Sequence, residues 1–484
     1  MKAEIAHTEE EFLYNQLAGK LERNILDGVL KTGEKLLSVR ALSKEQGVSL
    51  STAFKAYTEL EIKGLVEARP KSGYYVSKRK IRPVPSAGTL EARIPKEASV
   101  DDIVAMVYGN LNAEGLIRLS VAVPSAELLP LKKLSKTLTE CIRESADACT
   151  GYEDVQGNAR LRKQIARYAF NWGGNVNDKD VVTTQGCMEA LVFCVKAVTE
   201  PGDTIAIETP TYFGIFNVMK SLGLKVLEIP AHPEEGISID YLRHAMESIQ
   251  IKACLFVTNF TNPLGCSLSD EKKKQLVELL AEKEIPLIED DIYGELHFGN
   301  VRPRTCKSFD KKGLVLLCSS VSKSLAPGYR VGWCIPGKFK DKVINIKVMH
   351  TVSSATPNQA AVGLFFETGR YDLHMRNLRK ILHTQSLLYT RAISEYFPAS
   401  TKVSQPRGGY VLWLELEPQI DAFALFKLGL KYNISITPGH IFSTDARFTN
   451  YIRICFGTPL NKEIELAIKT LGGLAKEMIR RNPQ

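Results

Sequence analysis

Within Ser319-Ser320-Val321-Ser322-Lys323-Ser324-Leu325-Ala326-Pro327-Gly328-Tyr329-Arg330 the chain gathers several hydroxyls, one lysine and one arginine. A lysine amine condenses with an aldehyde to a Schiff base, while Ser320, Ser322 and the Arg330 guanidinium suit a phosphate. Together they fit a phosphorylated aldehyde, for which pyridoxal 5′-phosphate (PLP) is the natural candidate. The apolar run Leu314-Val315-Leu316-Leu317 precedes the segment and reads as a buried strand.

Other side chains able to serve such a ligand also follow strand-like runs. Gly186-Cys187-Met188 opens a helix, where free N–H groups and the helix dipole favour a phosphate, although many helices begin this way. Tyr212, in the turn Thr209-Pro210-Thr211-Tyr212-Phe213-Gly214, either offers a face to a flat heterocycle or belongs to the core. Asn262, in Thr261-Asn262-Pro263-Leu264-Gly265, starts a turn and presents an amide. Asp290 ends an apolar run, with Tyr293 close behind it. A carboxylate there is usually solvated or paired; facing a pyridine nitrogen, it keeps that nitrogen protonated and the ring electron-withdrawing.

Strand-like runs at 181–183, 204–207, 253–258, 286–289 and 314–317 alternate with helical stretches. The alternation predicts an α/β domain with a largely parallel central sheet, in which ligands gather at the carboxyl ends of the strands.

In order and spacing these residues resemble the fold-type I PLP-dependent aminotransferases across residues 114–484. Tyr152-Glu153-Asp154-Val155-Gln156-Gly157 with Leu161-Arg162 fits the same pattern. The resemblance implies an α/β PLP-dependent transferase fold with large and small subdomains. It gives Lys323 the bond to the cofactor and the proton shuttle. Arg330, Ser320, Ser322 and the amides of Gly186, Cys187 and Met188 hold the phosphate. Asp290 pairs with the ring nitrogen, Asn262 and Tyr293 with the ring oxygen, and Tyr212 stacks. Tyr152 reaches the phosphate of a neighbouring subunit, implying a homodimer, and Arg453 clamps a substrate carboxylate. Ala122 stands where such enzymes commonly have a glycine that lets the backbone approach substrate. The departure bears on turnover and leaves cofactor binding untouched.

The first 78 residues have another character. Phe12, Leu13, Leu17, Leu21, Ile25 and Leu26 recur at helical spacing. Ser38 reads as the N-cap of a short helix closed by Gly47, and Ser49 as the cap of the next, 50–63, with an apolar face of Ala53, Tyr57, Leu60 and Ile62. Leu65-Val66-Glu67-Ala68 and Tyr74-Tyr75-Val76 read as two strands of a wing. The segment resembles the winged helix-turn-helix of the GntR family, mainly helical with a β-wing. The resemblance rests on Gly33-Glu34-Lys35-Leu36, Ser38, Arg40, Gly47-Val48-Ser49, Thr52, Ala56-Tyr57, Leu60, Gly64 and Ser72-Gly73-Tyr74. Leu37 stands where the family usually has proline, and Leu50 where some members place a base-reading arginine. The resemblance implies that Ser49, Ser51, Thr52 and Lys55 face the major groove or its phosphates. Arg40 contacts DNA from the preceding helix, and Gly73 lies at a wing tip near the minor groove.

Between the two parts, 79–113 reads as a linker, proline-rich at its start, with one helix at 99–111. Six basic residues and no acidic one fall between Arg69 and Arg82, within an overall net charge of +9; beside a DNA-binding fold such a run favours phosphate contact. The ten cysteines form no Cys-x-x-Cys pair, which argues against structural zinc or a disulfide framework and for buried reduced thiols. No apolar run suits a membrane helix and no apolar signal segment opens the chain, so the expected location is the cytoplasm. A GntR-type reader joined to an aminotransferase-like domain resembles the MocR-type regulators. That layout implies a PLP-dependent transcription regulator that binds a double-stranded operator and senses PLP, an amino acid or a related amino compound. Two alternatives stay open on the residues: a working aminotransferase with an incidental DNA-binding domain, and a constitutive DNA-binding protein in which PLP is structural.

Overall fold

The computed structural model describes residues 2–69, 72–77, 84–85, 96–97, 104–105, 107, 109, 115–144, 150–445 and 447–481. The chain divides into two compact units, Met1–Pro83 and Val84–Gln484. Most of the expected linker, including much of the helix at 99–111, and the basic positions 71, 78–80 and 82 lie outside the described residues.

In the first unit, helices α1 (Lys2–Leu26), α2 (Val39–Gln46) and α3 (Leu50–Ile62) precede a hairpin of Val66–Arg69 and Gly73–Val76. The Ser38 hydroxyl accepts the Ala41 N–H at 3.2 Å to start α2, and Gly47 closes it with φ +63°. The Ser49 hydroxyl accepts the Thr52 N–H at 3.0 Å to start α3. Ala53, Ala56, Tyr57 and Leu60, at helical spacing, bury one face of α3 against Leu17, Leu42, Val66 and Val76. The Ile62 side chain, expected on that face, is outside the described residues. Tyr57 ties the hairpin down: its ring stacks on Tyr74 at 4.5 Å and its hydroxyl donates to the Leu37 carbonyl at 2.8 Å.

In the second unit, five parallel strands occupy the sheet centre in the order Lys225–His232, Thr204–Thr209, Ala253–Phe256, Leu287–Asp290 and Val315–Ser320. Gly332–Ile335 follows antiparallel, then Val182–Thr184. The antiparallel strand has a simple cause. Residues 321–331 carry the lysine loop, and a span this short cannot make the helical crossover that a parallel return needs. Val315–Ser320 is buried throughout, as a strand covered on both faces must be. A smaller antiparallel sheet of Lys402–Val403, Val411–Glu415, Tyr451–Cys455 and Thr437–Pro438 forms a second layer system. It shares a core with the long helices Arg370–Tyr396 and Lys462–Arg481. The described cysteines are free and buried.

Candidate cofactor site and DNA-reading face

Lys323 lies in the loop leaving Val315–Ser320, at the carboxyl end of that strand. Its Nζ donates to the Ala122 carbonyl at 2.6 Å. Burial, then the nearby Arg453 charge, pulls its pKa down to about 8, against the opposing pull of Cys455 and Asp290. The backbone around the lysine is held from outside the loop. The Tyr410 hydroxyl donates to the Lys323 carbonyl, the Tyr371 hydroxyl to Ser324 Oγ at 2.9 Å, and His374 Nε2 to the Ser324 carbonyl at 2.7 Å.

The expected phosphate residues converge. Gly186, with φ +92°, precedes the helix Cys187–Val198. Arg330 donates from Nη2 to the Gln185 carbonyl at 2.8 Å and from Nη1 to Ser322 Oγ at 3.5 Å. The Ser322 N–H donates to Ser320 Oγ at 3.3 Å. A Cβ on Gly186 would stand 2.3 Å from Arg330 Nη2, and one on Gly332 would stand 2.5 Å from the Gly186 carbonyl carbon. Both positions therefore need glycine if the guanidinium, the hydroxyls and the helix amides are to share one cradle. Met188 is half-buried in the first turn of that helix.

Asp290 is buried at the end of Leu287–Asp290. Its Oδ1 accepts the Ile292 N–H at 3.1 Å and the Cys187 thiol at 3.4 Å. Burial pushes its pKa up to about 6, while the Cys187 and Ile292 hydrogen bonds and the Lys323 charge restrain the shift. Asp290 and Lys323 thus lie close enough to influence each other's charge. Asn262 and Tyr293 are buried, and Tyr293 meets Tyr410 edge-on at 5.8 Å. Tyr212 is half-buried just ahead of the helix Phe213–Ser221. Arg453 is almost wholly buried, donating from Nη1 to Asn262 Oδ1 at 2.9 Å and from Nη2 to Thr437 Oγ1 at 3.0 Å and to the Ser120 carbonyl. These bonds fix the orientation of its guanidinium. Tyr152, by contrast, is 91% exposed and outside this cluster. The residues fit PLP: a low-pKa lysine, a cationic and hydroxyl cradle lined by glycines that tolerate no Cβ, and a buried carboxyl that interacts with the lysine.

Sequence reasoning did not single out Tyr410, Tyr371, His374 or the Cys187 thiol. Gly408-Gly409 before the strand Val411–Glu415 was a legible sign of close packing, because a Cβ on Gly408 would meet the Leu296 carbonyl at 2.7 Å. The others act across long sequence separations that no local pattern marks.

On the first unit, Arg40 is exposed on α2. Ser49 and Ser51 are exposed, but Ser49 Oγ bonds Ser51 Oγ at 3.0 Å and Thr52 Oγ1 at 2.8 Å besides its capping role. Thr52 is buried. Lys55 is half-buried with its ammonium 5.7 Å from the Tyr14 ring centre. Gly73, with φ +105°, opens the second wing strand opposite Arg69. Arg69 lies over the Tyr75 ring at 4.1 Å.

Residues 114–471 match the aminotransferase class I and II family, and residues 13–76 match the bacterial regulatory proteins of the gntR family. An uncharacterised HTH-type transcriptional regulator of Escherichia coli, YjiR, is 38% identical over 95% of this chain and 98% of its own length. The HTH-type transcriptional regulator NorG of Staphylococcus aureus is 26% identical over 90% and 98%. Among solved structures, the multiple substrate aminotransferase of Thermococcus profundus superposes with a TM-score of 0.74 at 25% identity, covering 79% of this chain and 96% of that one. A second, the α-aminoadipate aminotransferase LysN of Thermus thermophilus, gives 0.71 at 24%, covering 76% and 94%. With the lysine, its cradle and the capped reader helix in place, the chain belongs to the aminotransferase class I and II family, with PLP as its cofactor. It joins to that domain a GntR-family reader in the layout of the MocR-type regulators.

Proposed function

We propose that this protein is a cytoplasmic, homodimeric transcription regulator whose DNA binding responds to PLP and to an amino acid or related amino compound. The observation that carries the reading is the coexistence, in one chain, of a capped, partly exposed helix in a GntR-family unit and a buried lysine within an aminotransferase-family unit where Arg330, Ser320, Ser322 and Gly186 converge. When bound, PLP supplies an aldehyde that captures amines and a ring that withdraws electrons. Lys323 Nζ provides the amine and, with its lowered pKa, takes or returns a proton at the bond being made. Arg330, Ser320 and Ser322 would hold its phosphate, Asp290 would pair with its ring nitrogen, and Arg453 would orient an amino compound by its carboxylate. Exposed Tyr152 is placed on the surface, as a residue completing a neighbouring subunit's site would be.

A regulator needs only affinities that differ between its states. Ala122 adds a methyl beside the Lys323 amine, where aminotransferases commonly leave a bare glycine for substrate, and this favours slow turnover. The test is a gel-shift of the full chain on DNA from its own upstream region, with and without PLP and a panel of amino acids, with amino-group transfer followed in parallel. A ligand-dependent shift in affinity with little transfer is expected. Fast transfer with DNA affinity indifferent to every ligand would overturn the reading.

A further inference from the structure

We infer that Leu50 and Phe54 read DNA by touching the 5-methyl groups of thymine in the major groove. The inference rests on the proposal that the first unit binds DNA. Hydroxyls would be the ordinary polar readers at the start of α3, yet here they are bonded to one another and to the cap. Ser49 Oγ accepts the Thr52 N–H and also bonds both Ser51 Oγ and Thr52 Oγ1. Thr52 is only 3% exposed. Lys55 rests against Tyr14. Beside these bonded hydroxyls, the first turns of α3 turn two large apolar side chains outward: Leu50 is 53% exposed and Phe54 48%.

These two positions are four residues apart and lie on one face of the helix. Folding did not need them, since the core face is already filled by Ala53, Ala56, Tyr57 and Leu60. Their surroundings name the occupant. From Lys35 to Lys55 the chain carries Lys35, Arg40, Lys44 and Lys55 against the single acid Glu45. An apolar pair in a predominantly basic stretch of chain matches a polyanion that presents isolated methyl groups, and the major groove offers one on every thymine. The rise between the two side chains along the helix, about 6 Å, spans roughly two base-pair steps. Arg40 and the wing then anchor the backbone, while Leu50 and Phe54 choose thymine over cytosine at their positions.

The full-length protein is used to select duplexes from a random-sequence pool, and the retained sequences are resynthesised with uracil in place of thymine. Uracil keeps the pairing edge and removes only the methyl. Wild-type protein is expected to bind the uracil duplexes more weakly by about fourfold for each methyl contacted. The exposed-site variants Leu50→Ser and Phe54→Ser, which leave the core untouched, are expected to lose most of that discrimination and to select sites degenerate at the matching positions. Equal binding of thymine and uracil duplexes, or discrimination undiminished in both variants, overturns the methyl reading while leaving DNA binding standing. Retention of no duplex at all overturns DNA binding and the inference together.

Discussion

Lys323 is useful only when its amine is neutral, and its buried position sets when that occurs. With the pKa brought down from the ordinary lysine value to about 8, the fraction able to attack an aldehyde rises about tenfold per pH unit up to that point and then levels off. The rate at which cofactor-free protein captures PLP, followed by growth of the visible band, should therefore climb from pH 6.5 and plateau above about 8. A plateau deferred toward pH 10 would contradict the role assigned to burial. Lys323→Ala should leave the protein colourless in the presence of PLP, checked by its absorption spectrum. Tyr410 offers a finer test. Tyr410→Phe leaves the buried Lys323 carbonyl without its hydroxyl donor and should cost roughly 1–3 kcal/mol of stability. Tyr389→Phe removes a comparable bond to the Thr458 carbonyl at 2.8 Å and should cost a similar amount. Only the Tyr410 change should also slow PLP capture, and equal capture by the two variants would reduce Tyr410 to a packing residue. Of the candidate site, the residues with distinctive chemistry next to a strand or turn, Lys323, Arg330, Asp290 and Asn262, could be picked out in the sequence, and the fold links Lys323 to Asp290, Arg330 to Ser322 and Asn262 to Arg453. Those whose role is to steady another residue's backbone could not be, because Tyr371 and Tyr410 look like any buried aromatic until the fold brings them to the loop.

Strands and caps explain how much of the fold could be read in advance. The runs 204–207 and 314–317 are apolar because both faces of their strands are covered, so they stand out; the strands themselves extend to Thr204–Thr209 and Val315–Ser320. The reversal of Gly332–Ile335 is invisible locally, since strand direction depends on the connection's length and not on the strand's own residues. One strand end carries a measurable electrostatic load. Glu208, fully buried in Thr204–Thr209, accepts the Val257 N–H at 3.2 Å and the Thr211 hydroxyl at 3.2 Å, yet burial pushes its pKa up to about 8. The folded state thus keeps a proton that the unfolded chain releases above about pH 4.5. Stability from this group is fully present below the unfolded value and is lost, at up to about 1.4 kcal/mol per pH unit, as pH rises toward 8. Glu208→Gln, which keeps a carbonyl acceptor without the titration, should flatten the fall in melting temperature between pH 5 and 8. An identical pH profile for variant and parent would show that this carboxyl does not govern it.

As a whole, the molecule combines two kinds of recognition that answer to different variables. Attraction of the reader to phosphates is screened by salt, so affinity for any duplex should drop steeply as salt rises. Arg40→Ala should lower the log–log salt slope by about one for each reader engaged, with little dependence on sequence. An unchanged slope, measured by titration at several salt concentrations, would remove Arg40 from the phosphate contacts. Recognition at the cofactor site would depend instead on covalent capture at Lys323 and on the clamp proposed for buried Arg453, which salt would scarcely touch. Tyr371 and His374, which hold Ser324, sit near the start of a helix running from Arg370 to Tyr396, 27 residues long. At about 1.5 Å per residue this is a rod of roughly 40 Å. The bench on which the reactive lysine rests is therefore bolted to one end of a stiff beam that is itself embedded along its length, from Tyr371 to Ile393, in the hydrophobic core.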